Sequence, residues 1–121
     1  MSVTRTFTVT VVSTGSGNKY FIDGVQTPTL ELVEGATFRF DQSDSTNGTH
    51  PLRFATAADA SGGTQYTTNV TTNGTPGSSG AYTQIEVASS APTLYYYCTN
   101  HSGMGGQANT PNSDFWGAGN W

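Results

Sequence analysis

One stretch constrains the fold of this chain more than any other: Leu94-Tyr95-Tyr96-Tyr97-Cys98-Thr99-Asn100-His101-Ser102-Gly103-Met104-Gly105-Gly106. Its first part, from Thr93 to Cys98, has the aromatic content and alternation of a strand. A period of two puts Leu94, Tyr96 and Cys98 on one face and Tyr95 and Tyr97 on the other. The strand then stops at a polar, glycine-rich loop. Thiolate, imidazole and thioether follow one another there in the spacing C-x2-H-x2-M. Cys98 is the only cysteine of the chain, and Met104 the only methionine besides Met1.

The chemistry of that donor set is soft. Zinc and iron sites rarely use methionine, whereas a Cys thiolate with two histidines and a weak axial Met is the pattern of a blue-copper centre. The pattern needs a second histidine from elsewhere, and His50 is the only other one. Taken singly, the residues would read as a buried thiol, two loop histidines and a gap-filling methionine. Three soft ligand types on one loop make packing alone a poor account. Pro51 restricts His50 to an extended backbone, which suits a rigidly held ligand. The candidate metal ligands are therefore His50, Cys98, His101 and Met104, holding one copper ion that alternates between Cu(I) and Cu(II).

Tyr96-x-Cys98-x-x-His101-x-x-Met104, preceded by the distant His50, resembles the cupredoxin family of blue-copper proteins, and its short loop is most similar to the amicyanin type. The likeness runs from about Thr4 to about Gly106, with the segment Leu30-x-Leu32-Val33-Glu34-Gly35-x-x-Phe38-x-Phe40 resembling the paired strands that deliver the first histidine. It implies an all-β fold, a Greek-key sandwich or barrel of about seven to eight strands. It also implies that His101 is the outward-facing ligand through which electrons pass, and that amides of Thr99 and Asn100 tune the sulfur by hydrogen bonds. Pro51 departs from the family, which often has Asn after this histidine to brace the ligand loop.

The rest of the chain reads as short strands separated by turns. Phe7, Val9 and Val11 alternate with Thr6, Thr8 and Thr10. A second short strand, Lys19 to Ile22, ends at the Asp23-Gly24 turn. Leu30 and Leu32 share a face, as do Phe38 and Phe40, and later Thr83, Ile85 and Val87. The polar stretch from Ala55 to Gly80 predicts irregular structure with a brief strand near Gln65 to Thr68. Gln107 to Trp121 carries no strand pattern, so residues 1–106 are expected as the cupredoxin-like domain and residues 107–121 as a tail or linker.

A length of 121 residues suits one domain. The net charge of −4 comes with only four scattered basic residues, Arg5, Lys19, Arg39 and Arg53, which argues against nucleic acid as a partner. No stretch approaches a membrane span. No Ser-His-Asp set, paired-acid pocket or phosphate loop is present, so the chain is not expected to be an enzyme. Nor does Met1-Ser2-Val3-Thr4-Arg5 resemble a signal peptide, although an exported electron carrier, periplasmic or extracellular, would be made with one.

Three functions fit these residues. The first is an electron carrier that meets a redox partner protein. The second is a virion structural or display module, since the sequence also resembles Thr/Gly/Asn-rich cupredoxin-like domains of marine phage and cyanobacterial proteins. Segments like Tyr20-Phe21-Ile22-Asp23-Gly24 and His50-Pro51-Leu52-Arg53-Phe54 recur there, before Trp-Gly tails like Trp116-Gly117. Its partner would be another structural protein, met through Trp116 and Trp121. The third is copper storage or delivery on the same ligands.

Overall fold

The structure, a computed structural model, describes residues 3–112, so Trp116 and Trp121 lie outside the described residues. The strands are β1 (Arg5–Thr14), β2 (Gly17–Ile22), β3 (Val25–Gln26), β4 (Leu30–Glu31), β5 (Thr37–Asp41), β6 (Leu52–Ala55), β7 (Gln65–Tyr66), β8 (Val70–Asn73), β9 (Tyr82–Glu86), β10 (Leu94–Cys98) and β11 (Gly106–Asn109). Single 3-10 turns stand at Ser45–Asn47 and Ala58–Ala60. Among the described residues, no helix is long and apolar enough to cross a membrane.

The strands form two sheets, one ordered β3-β2-β1-β5-β9-β8 and the other β4-β11-β10-β6-β7. Pairing is antiparallel except for β1 with β5 and β11 with β4. The inward faces follow the alternation read from the sequence: Phe7, Val9 and Val11 of β1, Phe38 and Phe40 of β5, Thr83 and Ile85 of β9, and Leu94, Tyr96 and Cys98 of β10 are all buried. Aromatic rings tie the layers together. Phe40 stacks on Phe7 at 5.0 Å between centroids and meets Phe54 of the opposite sheet edge-on at 5.4 Å. The architecture is thus the expected all-β sandwich.

Three details differ from the sequence reading, each for a physical reason. The strand count of eleven exceeds seven to eight because of β3, β8 and β11: β3 is a two-residue edge piece too short to show a period, and β8 forms in the polar stretch expected to be irregular, where pairing with β9 rather than residue type holds it. The absence of a strand after Gly106 is corrected by β11. Gly106, Gln107, Ala108 and Asn109 are poor strand formers, yet ladders on both sides hold them, with Tyr96 opposite Gly106 and Leu30 opposite Ala108. Bonds from the amides of Leu32 and Glu34 to the carbonyls of Asn109 and Pro111 extend that contact to Pro111. Tyr97, on the outward face, is nevertheless buried, because the turn at Ala58–Ala60 packs over β10.

Candidate metal centre

Register brings the candidate ligands together. β10 runs antiparallel to β6 with Cys98 opposite Leu52. The residues that precede Leu52 therefore lie beside those that follow Cys98. The ladder continues one step past the strands, where the Thr99 amide donates to the Pro51 carbonyl at 3.2 Å. Beyond it the Asn100 side chain donates to the Thr49 carbonyl at 2.9 Å. His50 and His101 thus flank Cys98 at one end of the sandwich. The bond from Thr99 replaces the expected one to the sulfur, since that N–H is spent on Pro51.

The Cys98 Sγ lies 3.7 Å from Nδ1 of His50 and 3.7 Å from Nδ1 of His101. The two imidazole centroids are 4.6 Å apart, and one ligand atom from each of the three residues falls within 4.8 Å of the others. Cys98 and His50 are buried and His101 is exposed. Met104 is buried at 1 % exposure, in the same core cluster as Cys98, and its carbonyl accepts the Tyr20 amide at 2.9 Å.

The spacing fits a metal ion. Bonds of about 2.0 Å to nitrogen and about 2.3 Å to sulfur, opened to roughly 120°, place the two donor atoms about 3.7 Å apart. The donor set is one thiolate and two imidazoles, soft enough for copper, and the same core cluster as Cys98 holds the Met104 thioether. The environment also favours the neutral form of His50, the form that binds metal. Burial first, then the neighbouring His101, holds the His50 pKa below its ordinary 6.5. Tyr20 stays protonated. Its burial, then the charge of Cys98 beside it, pushes its pKa far above the usual range.

The ligand loops are gripped from several sides by residues the sequence reading passed over. The His50 carbonyl accepts two buried side-chain donors, Tyr20 Oη at 2.7 Å and Gln42 Nε2 at 2.8 Å. Between His101 and Met104, the Gly103 peptide is held at both ends. Its N–H donates to both carboxylate oxygens of Asp59 at 3.1 Å, and its carbonyl accepts from Lys19 Nζ at 2.6 Å. The bracing left in question by Pro51 is supplied by Asn100, Tyr20 and Gln42 instead. No motif announces such residues. A buried Gln in a loop of polar residues has no period and no spacing to single it out.

Thr49, immediately before His50, has φ of 66°. A β-branched residue in the left-handed region is an outlier whose strain is of order 1–3 kcal/mol and persists only where its surroundings over-determine it. The Asn100 bond to its carbonyl is one such restraint.

No family model and no curated protein matches this sequence. A solved structure of reduced rusticyanin, a cupredoxin, is similar in fold: the TM-score is 0.53, the identity 19%, and the match covers 91% of this chain and 81% of that one. At this identity the likeness concerns architecture, and the sandwich described above is the cupredoxin fold.

Proposed function

We propose that this chain is a type 1 copper protein that transfers electrons, with His50, Cys98, His101 and Met104 as the ligands of one copper ion. The observation that carries the reading is the pair of equal 3.7 Å separations from Cys98 Sγ to two imidazole nitrogens brought in from separate loops. Copper, when bound, supplies one-electron chemistry by alternating between Cu(I) and Cu(II).

The chain's own residues account for the rest. Cys98, at the end of a central strand and paired there with Leu52 of β6, would present its sulfur as a thiolate when a metal lowers its proton affinity. His50 is fixed through its backbone and shielded from water, and the exposed His101 offers the ring nearest to a docking protein. Met104, buried in the same core cluster as Cys98, would supply a thioether as a fourth, weak donor. Restraints on both ligand loops keep donor positions the same in either oxidation state, which lowers the reorganisation that an electron transfer requires. The partner suited to this arrangement is a redox protein that meets the surface around His101.

The test is a titration of the metal-free protein with Cu(II), followed by visible absorption and electron paramagnetic resonance, beside Cys98→Ser. The expected outcome is an intense thiolate-to-copper band that saturates at one equivalent, is bleached by reductant, and is missing in the variant. A wild-type protein that takes up no copper in either oxidation state would rule the function out. Copper bound without reversible reduction would leave a metal site and remove electron transfer.

A further inference from the structure

Gln42 follows β5 of the six-stranded sheet directly, and it spends its whole side chain on the segment that carries His50. The residue is 1% exposed. Its Nε2 donates to the His50 carbonyl at 2.8 Å and to Asn47 Oδ1 at 2.9 Å, while its Oε1 accepts the Leu52 amide at 2.9 Å. The two ends of the amide are not interchangeable here, because a carbonyl faces the nitrogen and an N–H faces the oxygen. The backbone of Gln42 is pinned as well, its amide donating to Ala81 and its carbonyl accepting from Gly77.

The bracket spans Pro51. Proline has no N–H, so His50-Pro51-Leu52 cannot be secured there by an unbroken ladder of backbone donors. Gln42 bonds the residue on each side of that gap and ties it to the opposite sheet. Asn47, held in turn by Nδ2 bonds to the carbonyls of Val9 at 2.8 Å and Asp44 at 3.1 Å, closes the network, and its own carbonyl accepts the His50 amide at 2.8 Å. The strained backbone of Thr49 is a separate sign that this segment is held in place by its surroundings rather than by local preference.

We infer that Gln42 is a positioning residue for the metal site: it holds His50 at its distance from Cys98 before any metal arrives. The inference rests on the copper reading given above. It differs from a merely structural role in what it predicts for the metal, because partners behind a ligand set its orientation and commonly change affinity by 10- to 100-fold when lost.

Gln42→Met keeps the length and apolar bulk of the side chain and removes all three bonds. Val87→Ala serves as the control, being a buried residue whose backbone bonds to Gly35 and Ala36 lie at the opposite end of the β5–β9 pair. Gln42→Met is expected to bind Cu(II) at least about tenfold more weakly than wild type and to show an altered copper hyperfine splitting. Val87→Ala is expected to lose thermal stability with unchanged affinity and splitting. In the metal-free protein, NMR of Gln42→Met is expected to show a mobile His50 ring and faster exchange of the Leu52 amide. Wild-type affinity, splitting and exchange in Gln42→Met would overturn the inference. Should that variant fail to fold, Gln42→Glu keeps the acceptor for Leu52 with at most one donor hydrogen, and the same readings are expected to move part of the way, with no movement counting against the inference. If wild-type protein shows no thiolate band, the copper reading falls, and the metal-free NMR comparison then decides on the bracket alone.

Discussion

Gly105→Ala tests how tightly the ligand loop is packed against the strand that carries Cys98. A Cβ at this position would overlap the Tyr96 carbonyl oxygen, and would lie 2.6 Å from the Tyr96 carbonyl carbon and 3.0 Å from the Tyr97 Cα. Carbon atoms in good contact are about 3.5–4.0 Å apart, so relief needs a shift on the order of 1 Å or more. Neither side gives way easily. Tyr96 is paired with Phe54 on one flank and Gly106 on the other, and the neighbouring Met104 carbonyl is tied to the Tyr20 amide. Overpacking absorbed by side chains costs about 1–3 kcal/mol. Only backbone can absorb it here, so a cost of about 3 kcal/mol or more is expected. For a domain of this length that corresponds to a fall in Tm on the order of 10 °C. Calorimetry of the metal-free protein measures it, and the loop's displacement is expected to change the copper spectrum as well. A variant within about 1 kcal/mol of wild type would mean the loop stands off β10, and the argument for its rigidity would be wrong.

Two further outcomes follow from the packing and the burial of His50. Phe40→Ala removes a fully buried ring that touches Phe7 and Phe54 across the two layers, and urea unfolding is expected to show a loss of about 3–5 kcal/mol; a loss under about 1.5 kcal/mol would mean the layers close over the gap. His50, with a pKa held below 6.5 in the folded protein, binds its proton more readily in the unfolded chain, so stability of the metal-free protein is expected to fall as pH drops through 6.5 towards the folded value. His50→Gln is expected to flatten that part of the pH–Tm curve, and an unchanged curve would place the titration elsewhere.

What could be read from the sequence and what could not divide along a physical line. A strand that buries one face must alternate, which is why Phe7, Val9 and Val11 share one face in the sequence, as do Thr83, Ile85 and Val87, and why all six are buried. A metal needs particular donor atoms, so Cys98 and His101 stood out by type and spacing, and His50 followed as the only other imidazole. The structure gathers these three around one point. Backbone hydrogen bonds make no such demand on residue type. β11 forms from Gly, Gln, Ala and Asn because β10 and β4 offer open donors and acceptors on either side of it. The same holds around the centre. The His50 carbonyl requires only some buried donor within reach, and Tyr20 and Gln42 qualify by position rather than by identity. A position that holds a ligand therefore leaves a signature in the chain, whereas a position that holds a ligand's backbone leaves one only in the fold. That asymmetry explains how the ligand segment can be braced although Pro51 offers no side-chain donor. The restraint migrates to Asn100, Tyr20 and Gln42, residues separated in sequence: Asn100 comes beside Thr49 once β10 pairs with β6, and Tyr20 and Gln42 reach His50 from the six-stranded sheet packed opposite.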